Sequence, residues 1–203
     1  ALVISVASRS RVAIASFSWT RAMAVTEKPD DIEIRTATAE EAVEIARFHV
    51  KIWRETYKDM APEEAVRVLN EDRRLPGWIE TLSSTDDTKS TLLALIGGTI
   101  VGLVSYGPPT SEIFGGRGEI KHLYVDDSQR GRGLGRRLLK QAFQRMGEAG
   151  FNGVGLSVVT ENTAARHFYK SLGGVEHAEF QDPGPIWKSS NILVVWPAET
   201  GAR

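Results

Sequence analysis

The chain has 203 residues, of which 41% are hydrophobic and 25% are charged, and its formal net charge at pH 7 is −1. These proportions are ordinary for a soluble globular protein of one domain. A net charge near zero argues against nucleic acid as the main partner, because binding to a phosphate backbone normally needs a basic excess. The absence of cysteine excludes disulfide bonds, thiolate metal ligation and a cysteine nucleophile.

The N-terminal segment differs in composition from the rest of the chain. It contains arginine, serine and alanine but no acidic residue before Glu27, which is typical of an organelle transit peptide. The alternative is extra sequence upstream of a natural initiator at Met23. The apolar run Leu2–Ala7 is too short to span a bilayer, so we expect no membrane partner. We therefore expect residues 1–30 to be flexible or extraneous, and the protein to be cytoplasmic, or organellar if the segment is a transit peptide.

After this segment, the pattern predicts one strand and two helices. Apolar residues alternate from Ile32 to Thr36, as in a half-buried strand. Thr38 can cap a helix whose apolar residues recur at helical spacing as far as Tyr57. A second helix is expected over Glu63–Leu69, followed by a linker that contains Trp78 and by a polar loop.

A hairpin and an irregular strand come next. Strands Thr91–Ile96 and Thr99–Tyr106 flank two glycines, which is a strong hairpin signal. The following strand, Glu119–Val125, has apolar residues spaced first three and then two apart. Strict alternation therefore breaks once, which predicts a β-bulge that frees backbone groups from the sheet.

Glycine and arginine are concentrated just before the next helix, which we expect to close at Gly150. Closely spaced glycines and the first amides of a helix together form a site for a phosphorylated ligand. Arg136 stands where a dinucleotide fingerprint needs its third glycine, and the Lys–Ser/Thr pair of a Walker loop is missing. What remains is Arg-x-x-Gly-x-Gly at Arg130, Gly133 and Gly135. The alternative is a glycine-rich turn with a basic, solvated first helical turn.

The last clear signal is a strand followed by a capped helix. The strand Gly153–Val159 should lie parallel to Glu119–Val125, because a helix connects the two. Asn162 stands at an N-cap position, and apolar residues at helical spacing place Tyr169 on or beside the inward face. The alternative for this tyrosine is a core aromatic with a satisfied hydroxyl.

Three segments carry a family resemblance: E-I-K-H-L-Y-V (119–125), Q-R-G-R-G-L-G (129–135) and N-T-A-A-R-H-F-Y (162–169). They resemble the core of the GNAT superfamily of acetyl-CoA-dependent N-acetyltransferases, and the match extends from Glu33 to Trp196. The resemblance implies an α+β fold, layered α/β/α. Its mixed, mostly antiparallel sheet would splay open between the fourth and fifth strands. It also implies a single N-acetyltransferase domain over residues 31–203.

The resemblance further implies where acetyl-CoA would bind. Pantetheine would lie along the backbone of Leu123, Tyr124 and Val125, and Asn162 would contact the pantetheine or the cofactor end. The residues implied around the pyrophosphate are Arg130, Gly131, Arg132, Gly133, Leu134, Gly135 and Arg136. No metal is implied, and the four scattered histidines lack ligand spacing.

Two side chains are candidates for the chemistry. Tyr169 would stand near the sulfur and stabilise it by hydrogen bonding, because a phenol pKa near 10 lies above a thiol pKa of about 8.5. Glu119 is our candidate base, acting through water. Its alternative role is a strand-edge carboxylate paired with a neighbouring Lys or Arg.

The acceptor is expected to be a primary amine of a small molecule. Alternatives are a protein or peptide amine, or a non-catalytic acyl-CoA-binding module. In this fold Ala39–Leu75 and nearby aromatics would shape the pocket, or would simply pack the helices on the sheet. These aromatic residues are Trp53, Tyr57 and Trp78. The same region contains four acidic residues that could attract an amine or could simply form a solvated face: Glu55, Asp59, Glu63 and Glu64. Homodimerisation is possible.

Overall fold

A mixed seven-stranded sheet organises residues 32–196, the part of the chain that this computed structural model describes. The strands are β1 (Glu33–Thr36), β2 (Ser90–Ile96), β3 (Thr99–Gly107), β4 (Gly118–Val125), β5 (Val154–Val159), β6 (Val175–Gln181) and β7 (Ser190–Trp196). Their order across the sheet is β1-β2-β3-β4-β5-β7-β6. Only the pair β4–β5 is parallel. The segment 1–30 lies outside the described residues.

Helices cover both faces of the sheet. They are α1 (Ala42–Tyr57), α2 (Glu63–Val68), α3 (Glu71–Leu82), α4 (Leu134–Glu148) and α5 (Thr163–Ser171). The first three pack in one apolar cluster with Leu93, Leu103 and Tyr124, whereas α4 and α5 pack on the opposite face with Leu123 and Val125. This arrangement confirms the predicted α+β fold with its α/β/α layers. Within the described residues, no helix is long and apolar enough to cross a membrane.

The prediction of a linker around Trp78 was wrong, because these residues form helix α3. The side chain of Asn70 accepts a hydrogen bond from Arg73 N at 2.9 Å and so caps the helix. Pro76 lies inside the helix, where a proline normally breaks the hydrogen-bond ladder. Burial of Trp78, which is 3% exposed, stabilises the helix against that loss.

The β4 strand contains the predicted bulge and borders the predicted splay. Ser105 of β3 lies opposite His122, but the next residue of β3 lies opposite Ile120, so Lys121 is the extra residue. The pairing between β4 and β5 covers only Gly118–Ile120 against Val154–Leu156. Beyond Ile120 the two strands separate, and the sheet opens between its fourth and fifth strands as expected.

Candidate active site

Half of the backbone groups at the end of β4 face the open gap in the sheet. Asp126 N donates a hydrogen bond to Val101 O at 2.9 Å, which shows which residues of β4 form backbone hydrogen bonds with β3. Because paired and unpaired residues alternate in an antiparallel ladder, the N–H and C=O groups of Leu123 and Val125 point away from β3. The predicted bulge and splay thus leave a strand edge that an extended ligand can pair with.

The opposite side of the gap is also a strand edge. Thr160 N donates to Ser190 O over 2.9 Å, so the same alternation turns the backbone groups of Ser157 and Val159 toward β4. Of these groups, Val159 C=O accepts the N–H of Asn162 at 2.9 Å. The gap is therefore bordered by backbone donors and acceptors on both sides.

The glycine loop before α4 presents a row of free amides. Gly131 and Gly133 adopt φ values of 73° and 81°, which favour glycine because they cost other residues strain. The amides of residues 131–136 find no hydrogen-bond acceptor among the residues that the structure describes. Three of them open α4, where the helix dipole adds positive potential. The loop has the geometry of an anion-binding nest.

The arginines around this nest differ in position. Arg130 Nε donates to Val125 O at 3.3 Å and its Nη1 to Asp127 at 2.9 Å, and only 11% of its side chain is exposed. Through these hydrogen bonds, Arg130 links the end of β4 to the loop. Arg132 and Arg136 are exposed beside the amides, where their charge can reach an anion in the nest.

Helix α5 places Asn162 and Tyr169 in the interior. Asn162 Oδ1 accepts from Ala165 N at 3.1 Å, which confirms the predicted N-cap. Its buried Nδ2 makes no hydrogen bond of normal geometry within residues 32–196, although it approaches the Tyr57 hydroxyl. Tyr169 Oη is likewise buried without a described partner. Burial, reinforced by Tyr124, raises the pKa of Tyr169 well above 10, so its hydroxyl is a proton donor at neutral pH.

The carboxylate of Glu119 has a partner in the loop that precedes its strand. Its Oε2 accepts hydrogen bonds from Thr110 N at 2.7 Å and from Thr110 Oγ1 at 2.8 Å. It lies in the paired part of β4, opposite Gly155, and is 8% exposed. The partner is thus Thr110 and not the Lys or Arg of the alternative interpretation. Its role as a base stays a prediction.

The aromatic residues proposed for the acceptor pocket divide into two groups. Trp53 and Tyr57 pack with Trp187, at ring-centroid distances of 5.9 and 5.2 Å from that residue. Trp187 comes from the segment between β6 and β7, which the sequence suggested as a loop that could close over the acceptor, and it packs on α1. Trp78 lies elsewhere, in the wall of a cavity of about 580 Å³ between α3 and strands β3 and β4. The four acidic residues of the predicted set are exposed.

A hydrogen-bonded chain joins Trp78 to β4 through His49. Trp78 Nε1 donates to His49 Nδ1 at 3.2 Å, and His49 Nε2 lies 3.0 Å from Tyr124 Oη. An indole only donates, so a neutral His49 carries its proton on Nε2 and donates it to Tyr124. Burial, together with repulsion from the nearby Arg74 cation and from His122 in its protonated form, lowers the pKa of His49 well below 6.5. No signal in the sequence links these residues.

Comparison with known proteins identifies the fold and the family. Residues 46–173 match the profile of the Acetyltransferase (GNAT) family. The chain belongs to this family. Membership confirms the resemblance of the three sequence segments and makes the protein a GNAT N-acetyltransferase.

Individual relatives of this GNAT protein are distant. The Bacillus subtilis (strain 168) protein "Uncharacterized N-acetyltransferase YuaI" is 28% identical over 152 residues, which cover 73% of this chain and 83% of that protein. Salmonella typhimurium yncA, solved with acetyl-CoA, has 20% identity and a TM-score of 0.64, covering 86% of this chain and 98% of that one. The Thermoplasma acidophilum paia N-acetyltransferase, solved with coenzyme A, has 19% identity and a TM-score of 0.63, covering 82% and 98%. These two structures share its fold.

Proposed function

We propose that this GNAT protein transfers the acetyl group of acetyl-CoA to a primary amine of a small molecule, by direct attack in a ternary complex. The observation that carries the proposal is the open strand edge at Leu123 and Val125 beside the nest of free amides at 131–136. A pantetheine arm can pair with that edge as an additional strand, and a pyrophosphate matches the nest in charge. Two proteins of the same fold hold acetyl-CoA or coenzyme A.

A buried polar atom without a partner supports the same donor. Tyr169 Oη loses hydration without gaining a hydrogen bond among the described residues, which is costly unless a ligand supplies the acceptor. The amide carbonyls of pantetheine are suitable acceptors for Asn162, and the sulfur of the thioester is suitable for Tyr169. Arg132 and Arg136 would add charge at the pyrophosphate.

The reaction forms a C–N bond between the amine and the acetyl carbonyl carbon and breaks the C–S bond. An alkyl ammonium with a pKa near 10.4 is free amine to about one part in a few thousand at pH 7, a cost of roughly 4–5 kcal/mol. Glu119, acting through water, is the candidate acceptor of that proton. The Val125 N–H would polarise the carbonyl, and Tyr169 would donate a hydrogen bond to the departing thiolate.

A cavity beside β4 supports a small acceptor. Its volume of about 580 Å³ lies within the range of small-molecule sites. It is lined by α3 and two strands and is partly open to solvent. Peptide acetylation is the second candidate, and the test includes it.

The test is incubation of the protein with acetyl-CoA and a panel of small amines and peptides. Release of the coenzyme A thiol and the mass of the acetylated product are measured, together with acetyl-CoA binding by calorimetry. We expect binding of acetyl-CoA and turnover of small primary amines. Turnover of peptides alone would favour the second candidate. Binding without turnover would indicate a non-catalytic module, and the absence of binding would overturn the choice of donor.

A further inference from the structure

Arg74 of α3 is a half-buried cation without a partner. Its Nε is buried and makes no hydrogen bond, and no carboxylate within residues 32–196 forms an ion pair with it. Burial lowers the pKa of the guanidinium. A desolvated charge is expensive unless it is paired. A ligand that supplies the missing anion would recover that cost.

Arg74 lines the cavity together with other cations. The charged residues of the cavity wall are Arg74, Lys89, Lys121 and Glu80, so positive charge is in excess there. Lys89 has a counterion, because its Nζ lies 3.5 Å from an Asp86 carboxylate oxygen. Lys121, the extra residue of the β4 bulge, forms no ion pair with a described carboxylate. Lys121 and Arg74 line the same cavity, together with His122.

The cavity shares two residues with β4, the strand along which the donor would bind. Lys121 and His122 form part of its wall, and they directly precede Leu123 in the chain. Trp78 also contributes to the wall, but it is only 3% exposed, because its ring packs against His49 and His122. A molecule in the cavity can thus place an anionic part on Arg74, close to β4.

We infer that the acceptor is a primary amine that also carries a carboxylate or phosphate group, and that Arg74, assisted by Lys121, binds that group. This inference rests on the proposed function and names the substrate class of the same site. It differs from the expectation of an amine attracted by acidic residues, because Glu55, Asp59, Glu63 and Glu64 are exposed and none of them lines this cavity.

The experiment compares matched amines in the wild-type enzyme and in Arg74→Gln. The probes are phenylalanine against phenethylamine for a carboxylate, and O-phosphoethanolamine against ethanolamine for a phosphate. The neighbouring exposed residue provides a control, Arg73→Gln, with the same change of charge on the same helix. Arg74→Lys keeps the charge, and a thermal melt of each variant checks its folding.

We expect Arg74→Gln to lower kcat/KM for the anionic member of at least one pair by about 10- to 100-fold, mainly through KM. The neutral member should change by less than about twofold, because it makes no bond to the guanidinium. Arg74→Lys should retain part of the activity, and Arg73→Gln should behave as wild type. Comparing variant with wild type for each amine cancels the intrinsic reactivity of that amine. The pair that responds distinguishes carboxylate from phosphate.

Two results would overturn the inference and leave the proposed function intact. One is turnover of neutral amines with no gain from the anionic group in either pair. The other is an equal loss for both members of each pair in Arg74→Gln. If no probe is turned over, calorimetry measures how tightly each probe binds to wild type and to Arg74→Gln, with both proteins saturated with coenzyme A. Tighter binding of an anionic probe by wild type than by Arg74→Gln supports the inference, and equal or absent binding overturns it. A failure to bind acetyl-CoA concerns the proposed function alone.

Discussion

Removal of the hydroxyl group should affect stability differently at two buried tyrosines, Tyr124 and Tyr169. Tyr124 Oη lies 3.0 Å from His49 Nε2, whereas Tyr169 Oη has no hydrogen-bond partner among the described residues. Tyr124→Phe would leave the His49 N–H buried without an acceptor, which costs about 1–3 kcal/mol of unfolding free energy. Tyr169→Phe removes an unsatisfied hydroxyl, so stability should stay the same or rise by up to about 1 kcal/mol.

Tyr169→Phe should slow catalysis, although it should not lower the stability of the protein. A hydrogen bond to a charged acceptor contributes about 1.5–3 kcal/mol, so loss of the bond to the forming thiolate should lower the rate of acetyl transfer about 10- to 150-fold. The affinity for acetyl-CoA should change little, since the bond strengthens only as charge develops on sulfur. Because burial raises the pKa of Tyr169, full proton transfer is even less favourable than for an ordinary phenol.

The assay combines thermal unfolding of the two variants with single-turnover acetyl transfer, which separates chemistry from product release. Each kcal/mol corresponds to a shift in Tm of about 2–4 °C for a protein of this size. A fall in Tm for Tyr169→Phe as large as that for Tyr124→Phe would show that the hydroxyl has a structural partner. An unchanged single-turnover rate would refute its role at the leaving group.

Two further predictions concern the glycine loop and pH. Gly133→Ala should raise the Kd for acetyl-CoA about 5- to 30-fold, because φ is 81° there and a side chain strains the nest by about 1–2 kcal/mol. Gly98→Ala, at φ 80° in the β2–β3 turn, should lower Tm by about 2–8 °C without changing that Kd. The unfolding free energy should fall below pH 6.5 by up to about 1.4 kcal/mol per pH unit for each of His49 and His122, because the unfolded chain protonates both and the folded protein, in which burial lowers both pKa values, does not. Urea unfolding at pH 7.5, 6.5 and 5.5 measures this slope; His49→Gln should leave a shallower slope, and an equally steep profile would contradict the contribution of His49.

Local signals accounted for the elements that could be predicted. The glycines at 97 and 98 turn the hairpin, and Asn162 caps α5 through its own side chain. The break in apolar alternation within β4 marked the bulge at Lys121. Each of these features depends on residues a few positions apart, so the information lies within one segment of the chain.

Helix α3 shows where local signals mislead. Pro76 and Gly77 are poor helix formers, so the local residue preferences do not favour a helix in this segment. The burial of Trp78 and its bond to His49, 29 positions earlier, outweigh the local preference. The strands β6 and β7 were not assigned either, and β7 pairs between β5 and β6 only through contacts across the sheet.

The amino-acid sequence by itself determined the family, the order of most elements and the anion nest, because these depend on short motifs and their spacing. Only the tertiary structure decided which backbone groups of Leu123 and Val125 face the gap, since that follows from the register of β4 on β3. It also decided which charges lack partners. In the sequence Arg74 is one arginine among several, and its isolation in a cavity results from residues that the fold brings together from α1, α3 and β4.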